Sequence, residues 1–240
     1  MQSSIFLTLG LGFALGLKHA LEADHLAAVS TMVSERRSIW ESARVGALWG
    51  LGHSTSLLVA GLLLIVLGVV IPERIANFLE FCVAIMIVVL GSRILFIALR
   101  KQQRAHVHSH THDGRFHFHL HFHGASDAHP IVQTHANSHA GLSRRRTYLV
   151  GVLHGLAGSA ALTLLVLTEV MRNGSAGLGM AYLLVFGIGS IGGMLIMSCI
   201  IGVPFVLCLK VSERLPVMLQ LSTASASIVF GFFYAWRILS

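Results

Sequence analysis

"GLKHALEADHLAAV", residues 16–29, sets two histidines and two carboxylates into an otherwise apolar run. His19, Glu22, Asp24 and His25 lie within seven positions. The run around them is long enough to cross a bilayer, which takes about 20 apolar residues in a helix. An ionisable side chain in hydrocarbon costs about 3 kcal/mol or more on insertion scales, so it ordinarily faces a pathway or a partner. What these four residues face therefore decides what kind of membrane protein this is.

The rest of the chain sets the frame. Of 240 residues, 55% are hydrophobic and 11% charged, against about 25% charged in an ordinary soluble domain. The mean hydropathy is +0.76. The composition describes a polytopic membrane protein and excludes a globular enzyme with a large soluble core. Cys82, Cys199 and Cys208 all lie in apolar runs, so no disulfide framework is expected. The N-terminus has no basic region before its apolar run and reads as the start of the first span.

Six spans are expected, over residues 5–30, 43–70, 76–99, 147–170, 178–208 and 217–239. The connections 1–2, 3–4 and 5–6 carry Arg36, Arg37, Arg44, Arg100, Lys101, Arg104, Arg115, Arg144, Arg145, Arg146, Lys210 and Arg214. The other side has only Arg74, Arg172 and Arg237. Lys and Arg concentrate in cytoplasmic loops, which puts the first set inside and both termini outside. The net charge of +7 is then a topology signal, with no nucleic-acid partner implied.

The two halves align. "GLKHALEADHLA" from Gly16 matches "GVLHGLAGSAAL" from Gly151, placing His19 on His154 and Asp24 on Ser159. "WGLGHS" from Trp49 matches "FGIGSI" from Phe186, placing His53 on Ser190. Three spans per half is an odd number, so the second half would be inverted, as in many transporters with a site between repeats. The expected fold is an all-α integral membrane protein of six transmembrane helices in two inverted three-helix repeats. Residues 1–99 form the first half, 100–146 a cytoplasmic histidine-rich loop, and 147–240 the second half.

In an unbroken helix at about 100° per residue, Asp24 points about 140° and His25 about 120° away from His19, on opposite sides. One ligand centre cannot use all three unless the helix is unwound; otherwise the residues serve different partners. Gly16 upstream would ease a break. A plainer reading pairs Lys18 with Glu22 (i,i+4) at a cytoplasmic helix end and leaves the histidines interfacial. That reading does not explain His53 and His154. Both lie about 7 to 11 residues into spans that enter from the same side, so at 1.5 Å rise per residue they reach similar depths. Each taken singly would serve as a hydrogen-bonded interhelical histidine. Together, imidazoles from three spans can meet one carboxylate, and imidazole suits nickel, cobalt, zinc and copper better than magnesium or calcium. The expected metal ligands are His19, Asp24, His25, His53 and His154, with Glu22 and Ser54 as weaker candidates that orient them.

The motifs carry a resemblance. "KHALEADH" resembles the His-x4-Asp-His signature of the nickel–cobalt transporter family, usually written with Arg where Lys18 stands here. "LGHST" resembles that family's second histidine motif. The six-span form with a histidine-rich loop and "HGLAGS" is similar to the branch holding nickel and cobalt efflux proteins and urease-accessory-type nickel permeases. Glu22 stands where the long form has Asp, and there are two spans fewer. The resemblance implies a multi-pass cell-membrane carrier of nickel(II) or cobalt(II), uptake or export. The metal is then a transported substrate, with no permanent cofactor and no enzymatic activity. It also implies a cytosolic metallochaperone or metalloenzyme-maturation system as partner, besides the lipid bilayer.

Residues 100–146 hold eleven of the fifteen histidines. His106, His108, His110 and His112 alternate, then His117, His119, His121 and His123. With an imidazole pKa near 6.5 most are neutral at cytoplasmic pH and free to ligate metal. A strand is not expected here, for want of an evident pairing partner, and a linker without metal is the plainer alternative. Two other functions compete with transport. An intramembrane metalloenzyme could hold zinc through the same His/Asp set, but no separate nucleophile is evident. A haem carrier could use His19, His53 or His154 axially, but the adjacent carboxylate argues against it. There is no Gly-x4-Gly-Lys-Ser/Thr motif for an ATP motor.

Overall fold

The computed structural model describes residues 2–67, 72–103, 105–112, 115–122, 142–157, 167, 171, 175–212 and 214–240. Helices α1 (Gln2–His19), α2 (Ala23–Val33), α3 (Ile39–Leu67) and α4 (Glu73–Gln103) form the first half. Strands β1 (Ala105–His112) and β2 (Arg115–Phe122) follow. The second half holds α5 (Arg144–Gly155), α6 (Ala176–Val211) and α7 (Arg214–Leu239).

Among the described residues, four helices, α3, α4, α6 and α7, are each long and apolar enough to cross a membrane. The α1–α2 pair makes a fifth candidate span, bent by 56° at its break. The expected fourth span, 147–170, coincides with α5 at its start and from residue 158 onward falls almost wholly outside the described residues. Within the membrane the described structure is all-helical, because every backbone polar group there must be satisfied without water. Large apolar side chains such as Phe6, Val89, Ile188, Phe232 and Trp236 point outward, where lipid would lie.

The loop departs from expectation. β1 and β2 pair antiparallel, with His106 opposite His121, His108 opposite His119 and His110 opposite His117. The partner missing from the sequence reading is the second alternating tract of the same loop. Residues 113–114 link the two, so a strand forms without any third element. His123 lies outside the described residues.

Packing places α2 at the centre, against α4, α6 and α7. Ala28, Val29, Met32 and Val33 of α2 join Val45 and Trp49 of α3, Leu90 of α4, and Met194 and Phe205 of α6 in one core. Around it α3 packs on α6, α4 on α7, α1 on α6, and α3 on α5. Several contacts require glycine by sheer proximity, among them Gly16, where a Cβ would press into the Phe186 carbonyl, and Gly151, where it would press into the Trp49 carbonyl. Such small residues let helix backbones approach where no hydrophobic effect drives them together.

The short α2–α3 link is lashed down at the arginine-rich end. Glu35 Oε2 pairs with Arg93 at 2.7 Å. Gln220 Nε2 donates to the Ser34 carbonyl at 2.7 Å and Arg36 donates to the Leu142 carbonyl at 3.0 Å. These contacts fix the exit of α2, and with it the start of α2 where the polar cluster sits.

Candidate metal centre

The break that the angular argument calls for lies between His19 and Ala23. Leu21 N bonds to Lys18 O at 2.9 Å and Glu22 N to His19 O at 3.1 Å, so α1 closes on tight i→i+3 turns. Glu22, in extended backbone, then starts α2 without a side-chain cap, and Leu26 N bonds back to Glu22 O at 3.0 Å. His19 therefore ends one helix while Asp24 and His25 open the next. The C-terminal dipole end of α1 favours positive charge beside His19, and the N-terminal end of α2 favours the Asp24 carboxylate.

Packing then converges the four membrane histidines. His25, His53 and His154 are fully buried and His19 is 5% exposed. His53 comes from the middle of α3 and His154 from the end of α5. The ring of His25 lies 4.5 Å from His19, 5.1 Å from His53 and 4.3 Å from His154, centroid to centroid. His19 Nε2 faces His53 Nε2 at 2.9 Å. Asp24 reaches two rings, with Oδ1 at 3.1 Å from His25 Nδ1 and Oδ2 at 2.9 Å from His154 Nε2. All five expected ligands thus meet, and neither a helix end at the interface nor a single helical face would bring them together.

The donors group as two trios, His19–His25–His53 and Asp24–His25–His154, each with its ligand atoms within 4.8 Å of one another. His25 Nε2, His53 Nδ1 and His154 Nδ1 are buried without a hydrogen-bond partner among the described residues. Each unsatisfied buried polar group costs about 1–3 kcal/mol. A cation that engages imidazole lone pairs, with proton positions rearranged to suit, is one way to offset that cost. Trp49 flanks the cluster, 5.4 Å from both His25 and His154, and Phe186 lies 5.6 Å from His19.

The weaker candidates divide. Glu22 pairs with His19 rather than with Lys18, Oε1 at 3.0 Å from Nδ1, and can orient that ring. Ser54 is buried but donates to the Gly187 carbonyl of α6 at 3.1 Å, a contact that joins helices. Glu80 escaped the sequence reading. It lines a cavity of about 610 Å³ with Glu22, Asp24, Asn77, Tyr234 and Arg237, toward the end of the bundle where α4 begins and α7 finishes. The signal was available, since a carboxylate inside an expected span deserves a partner. At the arginine-rich end a second cavity, about 620 Å³, is lined by Arg36, Arg44, Arg144 and Arg146, with Glu41.

A bundle of helices long and apolar enough to cross a membrane, with a buried His/carboxylate cluster that could hold a metal ion at a broken span, defines the class as a multi-pass membrane protein. Residues 5–229 match the family of NicO, high-affinity nickel-transport proteins, and the chain belongs to that family. It is 35% identical over 237 residues to a urease accessory protein UreH of Bacillus sp. (strain TB-90), covering 99% of this chain and 94% of that one. A high-affinity nickel transport protein of Cupriavidus necator is 35% identical over 71 residues, 29% of this chain and 20% of that one. The chloroplast protein FOR GROWTH AND FERTILITY 1 of Arabidopsis thaliana is 49% identical over 57 residues, 23% of this chain and 15% of that one. No solved structure matches.

Proposed function

We propose that this member of the nickel-transport family carries nickel(II), and cobalt(II) with it, across the membrane through His19, Asp24, His25, His53 and His154. The observation that carries the reading is the convergence of four buried imidazoles and one carboxylate from three separate parts of the chain, at a helix break. Broken helices with a site at their ends are how membrane carriers expose backbone and side chains to an ion. The metal is the substrate, held by a mixed nitrogen and oxygen shell suited to these metals.

We further propose that the two halves are inverted repeats of one three-span unit. The reading is supported by contacts that recur when the halves are exchanged. Gly16 abuts Phe186 as Gly151 abuts Trp49. A Cβ on Gly91 would lie 3.0 Å from the Ala224 carbonyl, and one on Gly231 would lie 3.0 Å from the Ala84 carbonyl. Ala157 N bonds to His154 O at 3.1 Å, matching the turn after His19. His154 sits 5.4 Å from Trp49 as His19 sits 5.6 Å from Phe186. In this scheme residues 1–99 and 147–240 are the two units, the arginine-rich end faces the cytoplasm, and residues 100–146 form an accessory cytoplasmic segment. The name of the UreH relative supports a urease-maturation system as the recipient of the metal.

The test is radioactive nickel flux in proteoliposomes. Alanine at His19 or Asp24 should stop flux at normal protein levels. Wild-type flux in both variants would remove the cluster from the pathway.

A further inference from the structure

We infer that the transported cation occupies two successive positions sharing His25. One lies among Asp24, His25 and His154, the other among His19, His25 and His53. The inference rests on the reading of this cluster as the transport site and adds an order of events within it.

Donor geometry comes first. A metal–nitrogen distance of about 2.0–2.1 Å lets two ligands of one ion lie at most about 4.2 Å apart. The donors satisfy near-ligand spacing as two trios, within 4.8 Å in each, and His25 belongs to both. Its Nδ1 faces the Asp24 carboxylate at 3.1 Å while its Nε2 is buried with no partner among the described residues. The ring is therefore committed on one edge and open on the other. The His154 and His19 rings lie 4.3 and 4.5 Å from it, both closer than His53 at 5.1 Å.

Access gives the order. Asp24 lines the 610 Å³ cavity beside Glu22, Asn77 and Glu80, whereas none of the four histidines lines it. A cation arriving through that cavity meets the Asp24 position first. The two positions also differ in charge. The first includes a carboxylate that compensates a dication stripped of water. The second offers imidazole nitrogens alone, with Glu22 behind His19 at 3.0 Å. A pathway must bind well enough to admit an ion and loosely enough to release it, and neighbouring sites of unequal strength meet both demands. Two dications one ring apart repel strongly at this spacing. One ion therefore alternates between the positions, and His25 remains within reach of both.

The test uses the full chain with all eleven histidines of residues 100–146 replaced by asparagine, so that membrane binding is read alone. Cobalt(II) binding is followed by equilibrium dialysis and visible absorption, and nickel flux is measured on the same preparations. H53A should keep about one cobalt per chain, with affinity within about tenfold of the parent and an altered spectrum, while flux falls about a hundredfold. H154A should likewise keep cobalt, with a different spectrum. H25A, and the H53A/H154A pair, should lose binding. H53N and H154N, with elution volume as a check on folding, repeat the comparison with milder changes. If H53A and H154A, and the asparagine forms, each abolish binding in folded protein, the donors form one indivisible centre. The two-position inference then fails while the transport reading stands. If no variant changes binding or flux, the transport reading itself fails.

Discussion

Four histidines lie in the helical bundle and eleven between residues 100 and 146, and the two sets are built on opposite principles. The four are far apart in sequence, at positions 19, 25, 53 and 154, and packing alone brings them together. The loop histidines are neighbours in sequence, and pairing of β1 with β2 merely doubles an alternation already present. In the bundle each imidazole is desolvated and held by a helix whose own position is fixed by its neighbours. In the hairpin the backbone register alone sets the histidines of one strand opposite those of the other. A preorganised site selects, because its donors cannot follow a wrong ion. A tract of repeated donors accumulates metal with little demand on geometry. The same side chain can thus serve selection in one region and capacity in the other.

That contrast predicts unequal sensitivities. The largest effects belong to the converged donors: D24A and H53A should each lower nickel flux by about a hundredfold or more, a barrier change of about 2.7 kcal/mol. Membrane extraction and elution volume would confirm that the variants fold. Next comes the packing that brings α3 and α5 together. Gly151→Val forces a branched side chain against the Trp49 carbonyl, and overpacking of this kind costs about 1–3 kcal/mol. It should lower the thermal unfolding midpoint and depress flux together. H154A should weaken apparent nickel affinity by roughly tenfold without ending transport, as loss of one member of a metal shell commonly does. The smallest effect should follow deletion of residues 106–139. Flux should persist, with a changed apparent affinity or regulation, and complete loss in a folded, inserted protein would place the loop in the obligatory path. In the intact chain, a cysteine at Ser109 should resist an impermeant reagent from outside the cell, in keeping with the basic asymmetry of the connections.

Much of this was legible because membrane proteins write their constraints plainly. Long apolar runs located α3, α4, α6 and α7 to within a few residues. The angular misfit of His19, Asp24 and His25 on one helix demanded either a break or separate partners, and the structure has both. The aligned pairs Gly16/Gly151 and Trp49/Phe186 turn out to be contact positions, Gly16 against Phe186 and Gly151 against Trp49, which the alignment itself did not indicate. What was hidden depends on approach in three dimensions. Lys18 and Glu22 have helical spacing, but the chain turns between them and Glu22 meets His19 instead. Ser54 sits in the histidine motif, yet its hydroxyl goes to Gly187 on α6, which no local pattern indicates. The hairpin was missed because its partner was sought outside the loop. The ties from Glu35 to Arg93 and from Gln220 to Ser34 join residues 58 and 186 positions apart, beyond any periodicity argument.

The central claim is that transport depends on the packed donors and not on the tract. One proteoliposome experiment tests it most directly, comparing nickel flux in the wild type, in H19A and D24A, and in a chain whose eleven loop histidines are all asparagine. Near-background flux in H19A and D24A, with the loop variant within about threefold of wild type, is the expected result. Wild-type flux in H19A and D24A, with flux lost only when the loop histidines are replaced, would contradict it.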